Sequence, residues 1–378
     1  MRFLQNAASH VSSPSGKRNP LTHTIQREKA GINILDTPCI NGYYSFMKID
    51  DKFPKSLLEA TRYFADPDVC VDFVASMRWP DGVTCPDCEG KRVSYLKTRR
   101  IWKCMAKECH KQFSVKTFSV FEDSAIPLDK WLTAVWLVVN CKNGISSYEL
   151  MRDLKVTQKS AWFMLHRIRL ALRSGNWEMF GGEDGGPVEV DETFVGGKIK
   201  NMHKSKARKK YHGVPRSGAS GKAIVMGMRD RETRQVRAKV IPNVKRETLQ
   251  NEILASVSPK STVYTDSWIG YHSLAEKDFV HETVNHLDEY VGGQVHTQGI
   301  ENFWSLLKRG LNGTYVAVEP FHLEAYVDEQ MFRYNNRATK GNPLDDTDRF
   351  MLAVSQIAGK RLTYAELTGK VGETTEPF

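Results

Sequence analysis

The 378-residue sequence holds no apolar run long enough to cross a bilayer. Its longest mainly apolar stretch, Trp131 to Val139, falls far short of the ~20 residues a spanning helix needs. No N-terminal apolar segment with a cleavage site is present, which argues against a secretion signal. Cysteine is sparse: there are seven, and Cys39, Cys70 and Cys141 are scattered. A disulfide framework is thereby excluded, and a reducing compartment is expected. Acidic residues are outnumbered, 44 against 54 Lys and Arg, which leaves a net charge of +10 and a pI near 9.1. A surplus of that size favours a polyanionic partner, either nucleic acid or an acidic membrane surface. The 40% hydrophobic content is enough for a core, and the length suggests two or three domains.

What the sequence does contain is organised around Pro187 to Gly197. The stretch reads as a strand entering a glycine turn, with Val188 and Val190 on one face and Glu189, Asp191 and Thr193 on the other. A carboxylate is a poor strand former, so Asp191 mid-strand needs a reason. Either the strand lies at a wet edge, or Asp191 is a metal ligand on a rigid support. The expected order beyond it is strand (Ala223 to Met228), strand (Val236 to Val240), helix (around Leu249 to Val257), strand (Thr262 to Asp266) and a fifth strand near Val280 to Val284. A helical crossover lets the fourth strand lie parallel to the first, so that Asp266 can face Asp191. In the later helix, Ile300, Phe303, Leu307 and Leu311 form the core stripe, with Glu301 and Lys308 on one line about 90° away. Glu301 by itself reads equally as a solvated helix charge.

Upstream, residues 1–46 are polar and turn-rich without a period of 2 or 3.6. They read as a disordered or mis-assigned leader, with Met47 as a candidate start. Residues 47–79 suggest one or two short helices. In 80–118, Cys85-x-x-Cys88 and Cys104-x4-Cys109 form two cysteine knuckles around a hairpin, a zinc ribbon whose four thiolates fill a structural tetrahedral site. Basic residues surround it, with Lys97, Arg99 and Arg100 at the expected hairpin, as a DNA-reading surface would have. Residues 124–175 read as three helices capped by Pro127, Ser146 and Thr157. The last two resemble a helix-turn-helix that would expose Gln158, Lys159, Ser160, His166 and Arg167 to DNA. Gly181 to Gly186 is a joint. Lys198 to Lys222 carries nine Lys or Arg and no acid. It reads as a mobile basic insertion in which Lys204, Lys206, Arg208, Lys209 and Lys210 meet DNA phosphates. Residues 341–378 are expected to form a helical tail.

Val188 to Lys198, Val263-Tyr264-Thr265-Asp266, and His296 to Gly310 with Gly313-Thr314-Tyr315 together resemble the bacterial DDE insertion-sequence transposases of the ISXO-like group. The resemblance spans Pro67 to Arg337, and 34 residues separate Asp266 from Glu301, as such triads commonly have. One departure is the four-residue gap in the second knuckle, where two are common. The resemblance implies an α/β, ribonuclease-H-like mixed five-stranded sheet over 187–340, preceded by the ribbon and the helical DNA-binding segment. It also implies a bacterial, cytoplasmic, nucleoid-associated enzyme that acts on double-stranded DNA, both element ends and target, as a homo-oligomer. Asp191, Asp266 and Glu301 would be the catalytic metal ligands, with Lys308 on a phosphate. Three converging carboxylates suit two Mg²⁺ (or Mn²⁺) ions, and the ribbon suits one Zn²⁺. Asp191 would bridge both ions; His296 reads equally as a cap or a core residue. Glu192, on the opposite strand face, should not substitute for Asp191. The competing readings are a DNA-binding regulator derived from such an enzyme, which predicts a broken triad, and a structure-specific nuclease on the same fold, which needs no sequence reader.

Overall fold

The structure is a computed structural model. It describes residues 53–173, 178–182, 186–196, 203, 205, 221–284, 296–339 and 343–370. The expected leader, nearly all of the basic insertion and the last eight residues lie outside that set.

The chain opens with α1 (Leu57–Tyr63), capped by the Ser56 hydroxyl, and α2 (Pro67–Arg78), which starts on an Asp66 cap followed by proline. The ribbon follows as β1 (Val93–Leu96), β2 (Ile101–Cys104) and β3 (Gln112–Phe113), all antiparallel. Trp102 pairs with Tyr95 on one side and Phe113 on the other. Its ring stacks on Phe113 and meets Trp79 edge-on, which gives this small sheet an apolar face against the end of α2.

Three helices come next. α3 (Leu128–Asn140) is apolar nearly all round and correspondingly buried. α4 (Ser147–Leu154) begins in a full capping box between Ser146 and Glu149, and α5 (Gln158–Leu172) on the Thr157 hydroxyl. The second half of the chain forms β4 (Val188–Val195), β5 (Ala223–Asp230), β6 (Val236–Ile241), α6 (Arg246–Ser256), β7 (Thr262–Asp266), β8 (Val280–Val284), α7 (Gln298–Gly310) and α8 (Leu323–Asn335). The sheet order is β6-β5-β4-β7-β8; β5 is antiparallel to β4 and β6, while β4, β7 and β8 run parallel. This is the expected ribonuclease-H-like arrangement. Val188, Val190, Met226 and Met228 turn one sheet face toward Leu249 and Ile253 of α6. Val225, Val236 and Ala238 turn the other toward Ile300, Phe303, Trp304 and Leu307 of α7. α8 also lines β6: Val236 and Val240 donate their amides to Asn335 and Glu324 side chains. Those edge amides are thereby taken up within the fold.

The C-terminal stretch is helical as expected, but its described part, 343–370, does not hang free. α9 (Asp346–Ser355) returns to the helical body, and Phe350 is fully buried against Phe64, Phe73 and Trp136. A short α10 (Tyr364–Leu367) follows. The helical segment and the sheet domain also meet through a buried ion pair. Arg169 of α5 bonds Glu329 of α8 at 2.6 Å, both side chains 1% exposed. Arg333 and the Tyr315 hydroxyl complete that carboxylate's partners. Among the described residues the two outer nitrogens of Arg169 find no hydrogen-bond acceptor, but the guanidinium lies 3.8 Å from the Tyr326 ring centre. Removing one member of such a buried set leaves a charge uncompensated, at a cost of about 3–5 kcal/mol.

Candidate active site and metal centres

The carboxylate site starts from register. β4 and β7 are parallel neighbours with Glu189 paired to Tyr264. Two residues further along each strand stand Asp191 and Asp266, so period-two alternation puts both on the face that carries Glu189. Glu301 comes from the first turn of α7, which lies across that face. The indole Nε1 of Trp304, one turn further along α7, donates to Asp191 Oδ2 at 2.8 Å. That approach requires Gly227 on β5. A Cβ there would stand 2.5 Å from the Trp304 ring.

Each of the other two carboxylates has its own tether. Asp266 Oδ1 accepts the Trp268 amide at 3.0 Å, and Glu301 Oε1 accepts the Thr297 hydroxyl at 3.1 Å. Asp191 sits in the middle. Burial pushes its carboxyl up to about 6; the Trp304 hydrogen bond opposes this, and the charges of Asp266 and Glu301 add to it. Three acids on one sheet face and the helix across it form a donor set that fits hard divalent cations. They do not converge as tightly as the cysteines: among the described residues, the four thiolates alone bring three or more ligand atoms within 4.8 Å of one another.

Glu192 points to the opposite strand face, as alternation requires. Its carboxyl accepts the hydroxyl of fully buried Tyr271, and burial raises it to about 7.

Beneath the triad lies a second cluster that sequence reasoning missed. Glu189 is fully buried. Its Oε1 accepts Arg231 Nε at 2.7 Å and Arg229 Nη1 at 3.2 Å, and its Oε2 accepts the Ile300 amide at 2.9 Å. A strand carboxylate thus serves a free amide at the N-terminus of α7, where negative charge is favoured. His296 belongs here. Arg231 donates to its Nδ1 and to its backbone carbonyl, both at 2.7 Å. Burial, and then Arg231, lower the ring's proton affinity, so the imidazole is neutral with Nδ1 as acceptor. The alternation of Glu189 with Asp191, and of Arg229 at the end of the next strand with Arg231 just beyond it, was the available signal for this cluster. For Trp304 the signal was its place four residues after Ile300, on the border of the core stripe.

In the ribbon, Cys85 and Cys109 sulfurs are 3.7 Å apart and those of Cys88 and Cys104 are 3.5 Å apart. Disulfide sulfurs would lie about 2.05 Å apart. Tetrahedral zinc with bonds of about 2.3 Å needs sulfurs about 3.8 Å apart. The four thiols therefore fit zinc.

The expected DNA-facing residues divide. Lys97 and Arg99 are exposed in the turn between β1 and β2, with Arg99 donating to Gln112 at 3.0 Å. Arg100 is half-buried and paired with Asp68 at 2.5 Å. Lys159 is exposed but lies 4.5 Å over the Tyr364 ring, and Gln158 donates to Ser147. Arg167 and His166 are corrected: both are buried. The Arg167 guanidinium donates to the carbonyls of Val120, Glu122 and Leu362 and stacks on Phe163, so it holds the fold and does not face DNA. Lys308 is exposed in the last turn of α7. Lys204, Lys206, Arg208, Lys209 and Lys210 lie outside the described residues.

Comparison with known proteins adds the following. Residues 184–335 match the ISXO2-like transposase domain, and residues 66–112 match the transposase zinc-ribbon domain. A protein of unassigned function in the transposable element ISH50 of Halobacterium salinarum is 32% identical over 250 residues, 64% of this chain and 82% of that protein. A transposase-like protein of Haemophilus influenzae is 36% identical over 101 residues, 27% of this chain and 81% of that protein. The catalytic core of BIV integrase superposes on 44% of this chain and 94% of its own length, with 13% identity and a TM-score of 0.28. The fold assignment rests on the strand order and not on that loose superposition.

Proposed function

The chain belongs to the ISXO2-like transposases, and on that premise we propose that it binds the terminal repeats of an insertion sequence and catalyses metal-dependent strand cleavage and strand transfer. The observation that carries this reading is the level match of Asp191 and Asp266 on neighbouring parallel strands, with the helix bearing Glu301 fastened across them. A regulator that had lost the chemistry would have no need to keep all three acids on one face, nor a buried apparatus to hold them. Two Mg²⁺ or Mn²⁺ ions held by Asp191, Asp266 and Glu301 would supply the Lewis acidity that activates the attacking oxygen and stabilises the leaving one.

The chain's own residues do the rest. Trp304 fixes the Asp191 carboxylate through Oδ2. Glu189, through the Ile300 amide, sets where Glu301 stands. Lys308, two turns along the same helix, meets a DNA phosphate. In cleavage a water oxygen bonds to phosphorus, the phosphorus–O3′ bond breaks, and the departing O3′ takes a proton. In transfer that 3′-hydroxyl attacks a target phosphate, so one phosphodiester forms as another breaks. Lys97, Arg99 and the basic insertion, Lys204 to Lys210, would hold the duplex backbone, and the ribbon would carry one structural zinc.

The test is an assay on the inverted repeats that flank the gene. Purified protein with Mg²⁺ should nick and join these ends and not a scrambled duplex. Binding without Mg²⁺-dependent cleavage would leave only the regulator, and cleavage that follows DNA shape with no preference for the repeats would leave only the nuclease.

A further inference from the structure

The turn after Asp266 has no part in the chemistry above, yet it is built to present an aromatic surface beside it. Trp268 is 45% exposed and its neighbour Ile269 61% exposed. Such a pair of large apolar side chains in solvent would be unremarkable on a loose loop. Here both ends of the turn are fastened. The Trp268 amide bonds Asp266 Oδ1 at 3.0 Å, and Tyr271, three residues on, is fully buried with its hydroxyl on Glu192. Between them a short 3-10 turn, Ile269–Tyr271, rests on α6. The five-membered edge of the indole lies against Gly270, where a Cβ would come within 2.9 Å of Cδ1 and Nε1. The ring is thus supported along one edge on a backbone that already touches the Asp266 carboxylate, and a little under half of the residue is open to solvent.

We infer that Trp268 is a stacking platform for an unpaired DNA base next to the scissile phosphate, with Ile269 as its apolar shoulder. This inference rests on the DNA-processing function proposed above. Three points of chemistry select the ligand. The indole carries no positive charge and its N–H edge lies against Gly270, so it is no backbone contact. A base offers an uncharged π-face of matching size, and stacking on an aromatic needs no particular sequence. A base inside a duplex has both faces covered by its neighbours, whereas one unpaired at a strand end or extruded beside the cut has a face to give. An exposed indole and isoleucine could otherwise meet a second copy of the chain, and the experiment separates the two.

Full-length protein is titrated, without added Mg²⁺ and without chelator, against one labelled duplex in three forms. These are fully paired, carrying two unpaired nucleotides at a 3′ end, and carrying the same two positions as abasic sites. Wild type should bind the unpaired form roughly five- to a hundredfold tighter than the abasic form. Trp268→Ala should erase that difference, Trp268→Phe should keep most of it, and the salt dependence should be the same for all three proteins because no phosphate contact changes. Equal wild-type affinity for the unpaired and abasic forms overturns the inference. So does a Trp268→Ala protein that keeps the preference, or one that keeps it while losing self-association on a sizing column without DNA. A wild-type protein that binds none of the duplexes removes the DNA reading itself, and this inference with it.

Discussion

The ribbon and the carboxylate triad, the two cation sites proposed for this chain, are built in opposite ways. The ribbon draws its four ligands from 25 consecutive residues, Cys85 to Cys109, on two turns closed by their own backbone bonds. The triad draws three ligands from two strands and a helix spread over 111 residues, Asp191 to Glu301. The thiols are already close enough to share one ion, whereas each carboxylate is tied to a separate donor, an indole, a backbone amide and a hydroxyl. A structural ion replaces a core that 47–118 is too small to build alone, so the ligands must close around it. A site that must leave room for substrate needs its acids held apart, and here each is held by its own hydrogen bond from the protein.

The sharpest way to break this comparison is to remove the zinc. Cys104→Ser, or chelation, should unfold the ribbon, because apparent zinc-ligation energies of about 10–16 kcal/mol are folding energy in units of this size. Proteolysis should then cut near 80–118 while the sheet domain stays protected. A ribbon that keeps its resistance without zinc would erase the contrast.

Next come the acids. Asp191→Asn, Asp266→Asn or Glu301→Gln should lower strand cleavage roughly a thousandfold or more, with DNA affinity and melting temperature nearly unchanged. Near-normal Mg²⁺-dependent joining by any one of them would remove that residue from the site.

A smaller effect tests the tether. Trp304→Phe should cut kcat by roughly ten- to a hundredfold through misplacement of Asp191, with little change in DNA affinity. The indole hydrogen bond holds the Asp191 proton affinity down, so its loss should also move the acid limb of the pH–rate profile upward. An unshifted limb would make Trp304 a packing residue only.

The smallest effect is the pH linkage. Burial and its acidic neighbours raise the Asp191 value from 3.8 to about 6. Between about pH 4 and pH 6 the folded, cation-free chain therefore holds a proton that the unfolded chain has released. The stability this contributes is lost as pH rises through that window. Cation binding must expel the same proton, so Mn²⁺ affinity should fall up to about tenfold per pH unit below 6, and the rise in Tm on adding Mn²⁺ should shrink accordingly. A Tm shift as large at pH 5 as at pH 7.5 would contradict the placement of Asp191.

Much of the scaffold is legible because local chemistry writes it. The strand Thr262–Asp266 begins and ends where alternation and flanking residues say it should. The caps at Ser146 and Thr157 are visible as hydroxyls ahead of apolar periods. The cysteine spacing names its site outright, since two short knuckles can close around an ion with no help from the rest of the chain. The triad residues are legible as types and spacings, and parallel pairing then follows from the helical crossover.

What pairs with what across the fold is decided elsewhere. Arg167 stands on the helix expected to read DNA, and a charge there would ordinarily seek solvent. It is buried because the loops at Val120 and Leu362, distant in sequence, bring carbonyls that its five donors can satisfy. Glu189 has the same alternation as Asp191, and nothing local tells a ligand from a buttress. Arg229 on the adjacent strand and Arg231 in the turn after it, together with the open amide of α7, make it the buttress. Trp304 sits one residue from Phe303, a 100° step round the helix, and only the angle at which α7 crosses β4 turns its N–H toward Asp191. The sequence by itself therefore determined the elements, the four-cysteine cluster and the candidate acids, because those depend on near neighbours and on period. Tertiary structure alone decided which charges are buried and which donor holds which carboxylate. Those depend on partners supplied by other strands and helices, and no local pattern encodes the distance to them.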